Sequence, residues 1–146
     1  MAVSTKEQRL LARLDGSGSD DEREAVDALR ECSDLPALLL SKYQSASHAN
    51  ERASCLYYAA RYATTSASAF ELGVVALNDR STVVRYRATL LLAVSQNRDA
   101  LKPLAVLHAS GRSVEDAAAA MDAISHRDPN LFVDRDHSGK VTLSLE

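Results

Sequence analysis

The side chains best suited to recognition or chemistry in this sequence fall in two places. Tyr57, Tyr58, Arg61 and Tyr62 occupy one short stretch. On a helix Tyr58 and Tyr62 are i,i+4 neighbours with Arg61 beside them. All three lie off the stripe of Ala49, Ala53, Leu56 and Ala60. Tyr and Arg bury much area and still donate hydrogen bonds, which makes them frequent hot spots of protein interfaces. The competing explanation is rings that pack between neighbouring helices. The second place is near the C-terminus, where His126, Asp128, Asp134, Asp136 and His137 crowd together. Asp134, Asp136, Ser138 and Gly139 imitate the opening of a calcium loop, D-x-D-x-S-G. The twelfth loop position is Leu145, with Glu146 one place late, and no helix follows. No H-x-x-x-H or H-E-x-x-H spacing is present to hold zinc. Surface polar residues around a turn are the reading these positions favour, and no metal is expected.

Other reactive chemistry finds little support. The five glycines form no phosphate-binding loop. Gly16-Ser17-Gly18 follows a helical pattern and reads as a linker, and no G-x-S-x-G elbow occurs. Cys32 and Cys55 each sit inside a helical pattern, too few for a disulfide framework or a zinc site, and are expected as buried free thiols. The expectation is therefore a non-enzyme with no cofactor.

Charge and composition narrow the partners. The net charge is −3. Residues 1–34 hold five basic and nine acidic side chains, and the rest hold twelve basic and eleven acidic. No basic block marks a nucleic-acid face. An acidic N-terminal part suits a basic partner or simply a solvated helix. No apolar stretch approaches a membrane span, and the charged, amphipathic N-terminus lacks a signal-peptide core. A cytoplasmic protein binding neither nucleic acid nor membrane is expected.

The elements that must position these residues are helices. Ser4 with Glu7, then Ser19 with Glu22, read as capping boxes. Leu10, Leu11 and Leu14 give one apolar stripe, and Ala25, Val26, Leu29 and Cys32 the next. Ser33 signals another start, with Pro36 in the first turn. Further helices are predicted over 48–63, 68–77, 82–95 (capped by Ser81), from Asp99 through Leu107, and over 114–125 (capped by Ser113). Beyond Asp128-Pro129, Leu131–Arg135 and the alternating Val141, Leu143 and Leu145 flank turn residues Asp136–Gly139, a β-hairpin pattern.

The helices pair and repeat. Leu38, Leu72 and Leu104 recur 34 and 32 residues apart, and Ala53 and Ala88 are 35 apart. A lone hairpin cannot bury its apolar face, so stacking is the physical solution. Leu77, Asp79, Val84, Arg85 and Ala88 resemble the HEAT-repeat pattern, in which the Asp and Arg stabilise the inter-helix turn. The match is partial over 35–63, where Arg52 is displaced and the turn Asp is missing, and weak over 99–125. The stretch Phe132–Lys140 is similar to the tails of small bacterial HEAT-like proteins, some of them thought to be immunity proteins. The resemblance implies an all-α, right-handed α-α superhelix; together with the residue pattern this gives an N-terminal helical pair (1–34), three helical hairpins (35–126) and a β-hairpin cap (130–146). It also implies that the second helix of each hairpin lines a concave surface carrying Glu51, Tyr58, Arg61, Arg85, Thr89, Asp122 and His126, with Tyr62 a further binding candidate beside Tyr58. The implied function is protein binding, specifically an immunity or inhibitor protein that blocks a cognate bacterial toxin. An adaptor or scaffold subunit is the alternative, and a HEAT-like lyase or DNA glycosylase the remaining one.

Overall fold

The fold was analysed in a computed structural model that describes residues 3–31 and 34–145. The expectations for Cys32 and Ser33 fall outside the described residues. Eight α-helices are described: α1 (Thr5–Ala12), α2 (Asp20–Arg30), α3 (Leu35–Ser45), α4 (Ala49–Ala59), α5 (Ala67–Ala76), α6 (Thr82–Ser95), α7 (Leu101–Ala109) and α8 (Val114–Ser125). Three 3-10 turns, Ala60–Tyr62, Arg98–Ala100 and Pro129–Phe132, extend or follow them.

Each helix packs on its partner: α1 on α2, α3 on α4, α5 on α6, α7 on α8. The pairs then stack, with α3 against α5 in one row and α4, α6 and α8 side by side in the other. Small residues make the close approaches possible. An added Cβ on Gly73 of α5 would lie 2.8 Å from a Leu91 methyl and 2.9 Å from a Leu92 methyl of α6. Leu39, Leu56, Leu72, Leu91, Leu104 and Ile124 are buried along the seam between the rows. They belong to one continuous core. Burying each such side chain contributes about 1.5–3 kcal/mol.

Local capping signals mostly hold. Ser4 and Glu7 form the full capping box. Ser19 Oγ accepts from the Glu22 N–H, but the Glu22 carboxylate does not return to Ser19. It accepts instead from Gly18 N–H (3.1 Å) and Ser54 Oγ (2.6 Å). Asp34 caps α3. Ser113 makes no capping bond; its φ is +48° and its hydroxyl accepts from Arg85 Nε.

The β-hairpin is overturned: no strand forms among the described residues. Asp128 caps and Pro129 opens a 3-10 turn, which buries Leu131 and Phe132 against α8 and α6. Residues expected in the first strand are thereby curled, and Val141–Leu145 has no strand to pair with. The Asn130 carboxamide takes that place. Its Nδ2 donates to the Val141 carbonyl and its Oδ1 accepts from Leu143 N–H. The end of the chain is thus held extended with Leu143 packed on the core.

Candidate functional site

The most constrained polar cluster is built around Asp79, in the turn between α5 and α6. Its carboxylate accepts from Arg52 Nε (2.8 Å) and Nη2 (3.2 Å), Tyr43 Oη (2.7 Å) and Ser81 N–H (2.9 Å). Its carbonyl accepts from Arg85 Nη1 (2.8 Å) and Arg112 Nη2 (3.1 Å). Arg52 also donates to the Ser47 carbonyl, and Arg85 Nε to Ser113 Oγ. One acidic residue thereby ties together the turns of three successive helix pairs. Burial alone would raise the Asp79 carboxyl, but the bonds from Arg52, Ser81 and Tyr43 outweigh it and hold its pKa below 3.8. Burial, then the Asp79 contact, pushes the Tyr43 hydroxyl up. Arg85, expected on the binding surface, is buried in this network and plays a structural part.

The resemblance paired Asp79 with Arg85 of the same repeat. The carboxylate in fact takes Arg52 of the preceding pair. Arg52 and Arg85 are 33 residues apart and both reach an inter-helix turn. At that same spacing Cys55 matches Ala88 and Ala59 matches Leu92, all fully buried. Aligning Ala53 with Ala88 therefore sets the repeat two residues out of step, which is why Arg52 looked displaced.

A cleft of about 510 Å³ opens between α2, α4 and α6. Tyr57, Tyr58, Arg61 and Arg87 line it together with Arg23 and Arg30 of α2. A smaller depression of about 150 Å³ shares Tyr57, Arg61 and Arg87 and is lined at its far side by Leu145 of the extended tail. Tyr57 and Tyr58 meet edge to face, with ring centroids 5.0 Å apart. Arg87 stacks over Tyr57 with its guanidinium carbon 5.2 Å from the ring centroid. Tyr57 remains 40% exposed, so it is the ring a ligand meets. Tyr58 is buried; burial, then the charge of Glu22 and a hydrogen bond to it, pushes its hydroxyl up to about 12.

The expected single surface is therefore divided. Tyr58 and Arg61 line the cleft. Tyr62 is half-buried against the core. Glu51 is half-buried and pairs with Lys42 at 3.4 Å. Thr89 is fully buried and donates to the Tyr86 carbonyl. Asp122 and His126 belong to a separate group, in which the Asp122 carboxylate meets His126 Nδ1 (3.0 Å) and His137 Nε2 (2.6 Å). Sequence reasoning missed Arg87, Arg23 and Arg30, and gave Tyr57 too little weight. The 33-residue spacing held the signal for Arg87: it matches Ser54, as Val83 matches Asn50, and all four line the cleft.

Two other candidates resolve structurally. Asp134 is buried, and its oxygens accept from Ser138 Oγ, Ser138 N–H and Gly139 N–H. The Ser138 bond leads in holding its pKa below 3.8. The calcium-loop pattern is thus a self-capped turn. Among the described residues no group of three His, Cys, Asp or Glu side chains is placed to hold a metal ion. Cys55 is a free, buried thiol whose pKa burial pushes up to about 12, far from a thiolate nucleophile. No described helix is long and apolar enough to cross a membrane. Comparison of the chain with protein-family models, with curated proteins and with solved structures finds no match.

Proposed function

We propose that this chain is a protein-binding module of HEAT-like helical hairpins that receives its partner in the cleft between α2, α4 and α6. The observation that supports this most is the exposed Tyr57 ring with Arg87 stacked on it at the mouth of that cleft. Both residue types are favoured where binding energy concentrates. The ring and the guanidinium hold each other in place, which lowers the entropy lost on docking. The stack of paired helices supplies a rigid, pre-formed surface, as helical repeats do elsewhere. The role we favour is an inhibitor of the immunity type, which neutralises a toxin by covering its working surface.

The test places a photo-reactive phenylalanine at position 57 of the full chain in its native cell, with position 9 on α1 as control. A discrete cross-linked protein at 57 and none at 9 is the expected result. Loss of that protein's own activity on complex formation marks an inhibitor. A stable complex with activity retained marks an adaptor. No product at 57 refutes the module.

A further inference from the structure

The charges around the cleft specify more than a generic partner. Resting on the binding-module reading, we infer that the cleft takes a carboxylate-bearing, acidic peptide stretch of the partner.

Four arginines line the cleft, Arg23, Arg30, Arg61 and Arg87, against two carboxylates, Glu22 and Asp27. Glu22 is buried and its oxygens are taken by Ser54 and Gly18. Asp27 accepts from Arg30 Nη1 at 2.9 Å. Arginines thus outnumber carboxylates four to two among the lining residues, in a chain whose net charge is −3; Arg23 also donates to the Gly18 carbonyl (3.0 Å) and lies 3.9 Å from Asp20. This positive surplus is local, and it is not what the whole chain's charge would produce.

The guanidinium geometry favours carboxylates. Arg87 lies over the Tyr57 ring, so its face is occupied and its N–H edges remain for a planar acceptor. Arg30 Nε is, among the described residues, the buried side-chain nitrogen with no hydrogen-bond partner. A carboxylate drawing the Arg30 fork into the cleft gives that nitrogen an acceptor. The size is right for a few side chains, since about 300–1,000 Å³ is usual for pockets that enclose a ligand.

The surroundings disfavour a nucleic acid. Asp20, Asp21 and Glu24 are exposed on α2; Asp20 lies 3.9 Å from Arg23 of the cleft, and Asp21 and Glu24 pair with Arg13. A phosphate backbone spreads its charge along many repeats and would meet this acidic flank. A short acidic segment reaches the arginines alone.

The test selects a phage-displayed random 12-residue peptide library on the intact protein. Selected sequences rich in Asp and Glu are expected. Their affinity, read by fluorescence anisotropy, should fall roughly tenfold or more for Arg87→Gln and for Arg23→Gln, the cost of a lost charged hydrogen bond. It should be unchanged for Arg9→Gln, and circular dichroism melts confirm that each variant is folded. Selected peptides without an acidic excess, or no selected peptide at all, overturn the inference. Displacement by inorganic pyrophosphate at matching concentration assigns the site to a small polyanion and also overturns it. Cross-linking at position 57 separates the two failures. A partner captured there whose binding ignores Arg23→Gln and Arg87→Gln refutes the acidic chemistry alone; no partner there refutes the module as well.

Discussion

Replacing Asp79 with alanine removes the acceptor on which three turns converge. The variant leaves the Arg52 guanidinium buried with only backbone carbonyls for partners, and leaves the Tyr43 hydroxyl and the Ser81 N–H without theirs. Arg52 and Asp79 are 8% exposed each, so water does not compensate. Breaking a buried pair from one side costs about 3–5 kcal/mol. Midpoint entropy is about 2.1 cal/mol/K per residue. For 146 residues the loss then corresponds to a fall in Tm of about 10–16 °C. Chemical denaturation with parallel thermal melts reads it. The companion variant Arg52→Met with Asp79→Leu removes both charges, and should lose at least about 1 kcal/mol less than the two single losses added. A cost for Asp79→Ala below about 1 kcal/mol, or strict additivity in the double variant, refutes the hub. The pH dependence has a defined sign. The folded pKa of Asp79 is depressed below 3.8, so its contribution is complete above that value. It is lost as pH falls through the folded pKa, and Asp79→Asn should flatten this acid limb.

Three further perturbations test other parts of the structure. His137 has its pKa raised above 6.5, chiefly by its bond to Asp122; the stability it adds is complete below 6.5 and fades as pH rises through the raised value. Proton NMR titration should show Asp122→Asn returning His137 toward 6.5, and an unmoved titration refutes the contact. Gly16→Ala should destabilise more than Gly18→Ala: both have positive φ, but a Cβ on Gly16 would lie 2.3 Å from the Asn50 carbonyl oxygen and one on Gly18 meets nothing within 4 Å. The conformational cost common to both is about 1–2 kcal/mol, and equal losses in denaturant melts would disprove the close approach. Asn130→Ala should free the extended tail, read as much faster amide exchange at Leu143 with the helices unchanged; unaltered exchange there shows that something else anchors it.

The helices themselves were legible because their causes are local. The predicted span 82–95 is α6 and 114–125 is α8, residue for residue. Apolar spacing and the Ser4, Ser19 and Ser81 caps act over a few residues, which a sequence displays directly. The pairing of helices was also legible, since short connections leave neighbours no other way to bury their stripes. Of the four residues grouped by type in the sequence, Tyr57, Tyr58 and Arg61 line the cleft and Tyr62 does not.

What tertiary structure decided was the choice of partner. Asp79 has Arg85 six residues away, yet its carboxylate pairs with Arg52, 27 residues distant, because α4 and α6 pack side by side. Glu22 had the spacing of a capping box, but α4 brings Ser54 to it and draws it inward. The tail had the alternation of a strand, and alternation makes a strand only where a neighbour offers a ladder. With Leu131 and Phe132 curled into the core, the Asn130 side chain supplied the missing bonds instead. The charge of the cleft likewise depends on α2 facing α4 and α6 across it, which sets Arg23 and Arg30 opposite Arg87, far away in the chain. Propensity and capping are settled within one helical turn. Hydrogen-bond partners and local potential are settled by whatever lies within a few ångströms, and only packing determines that.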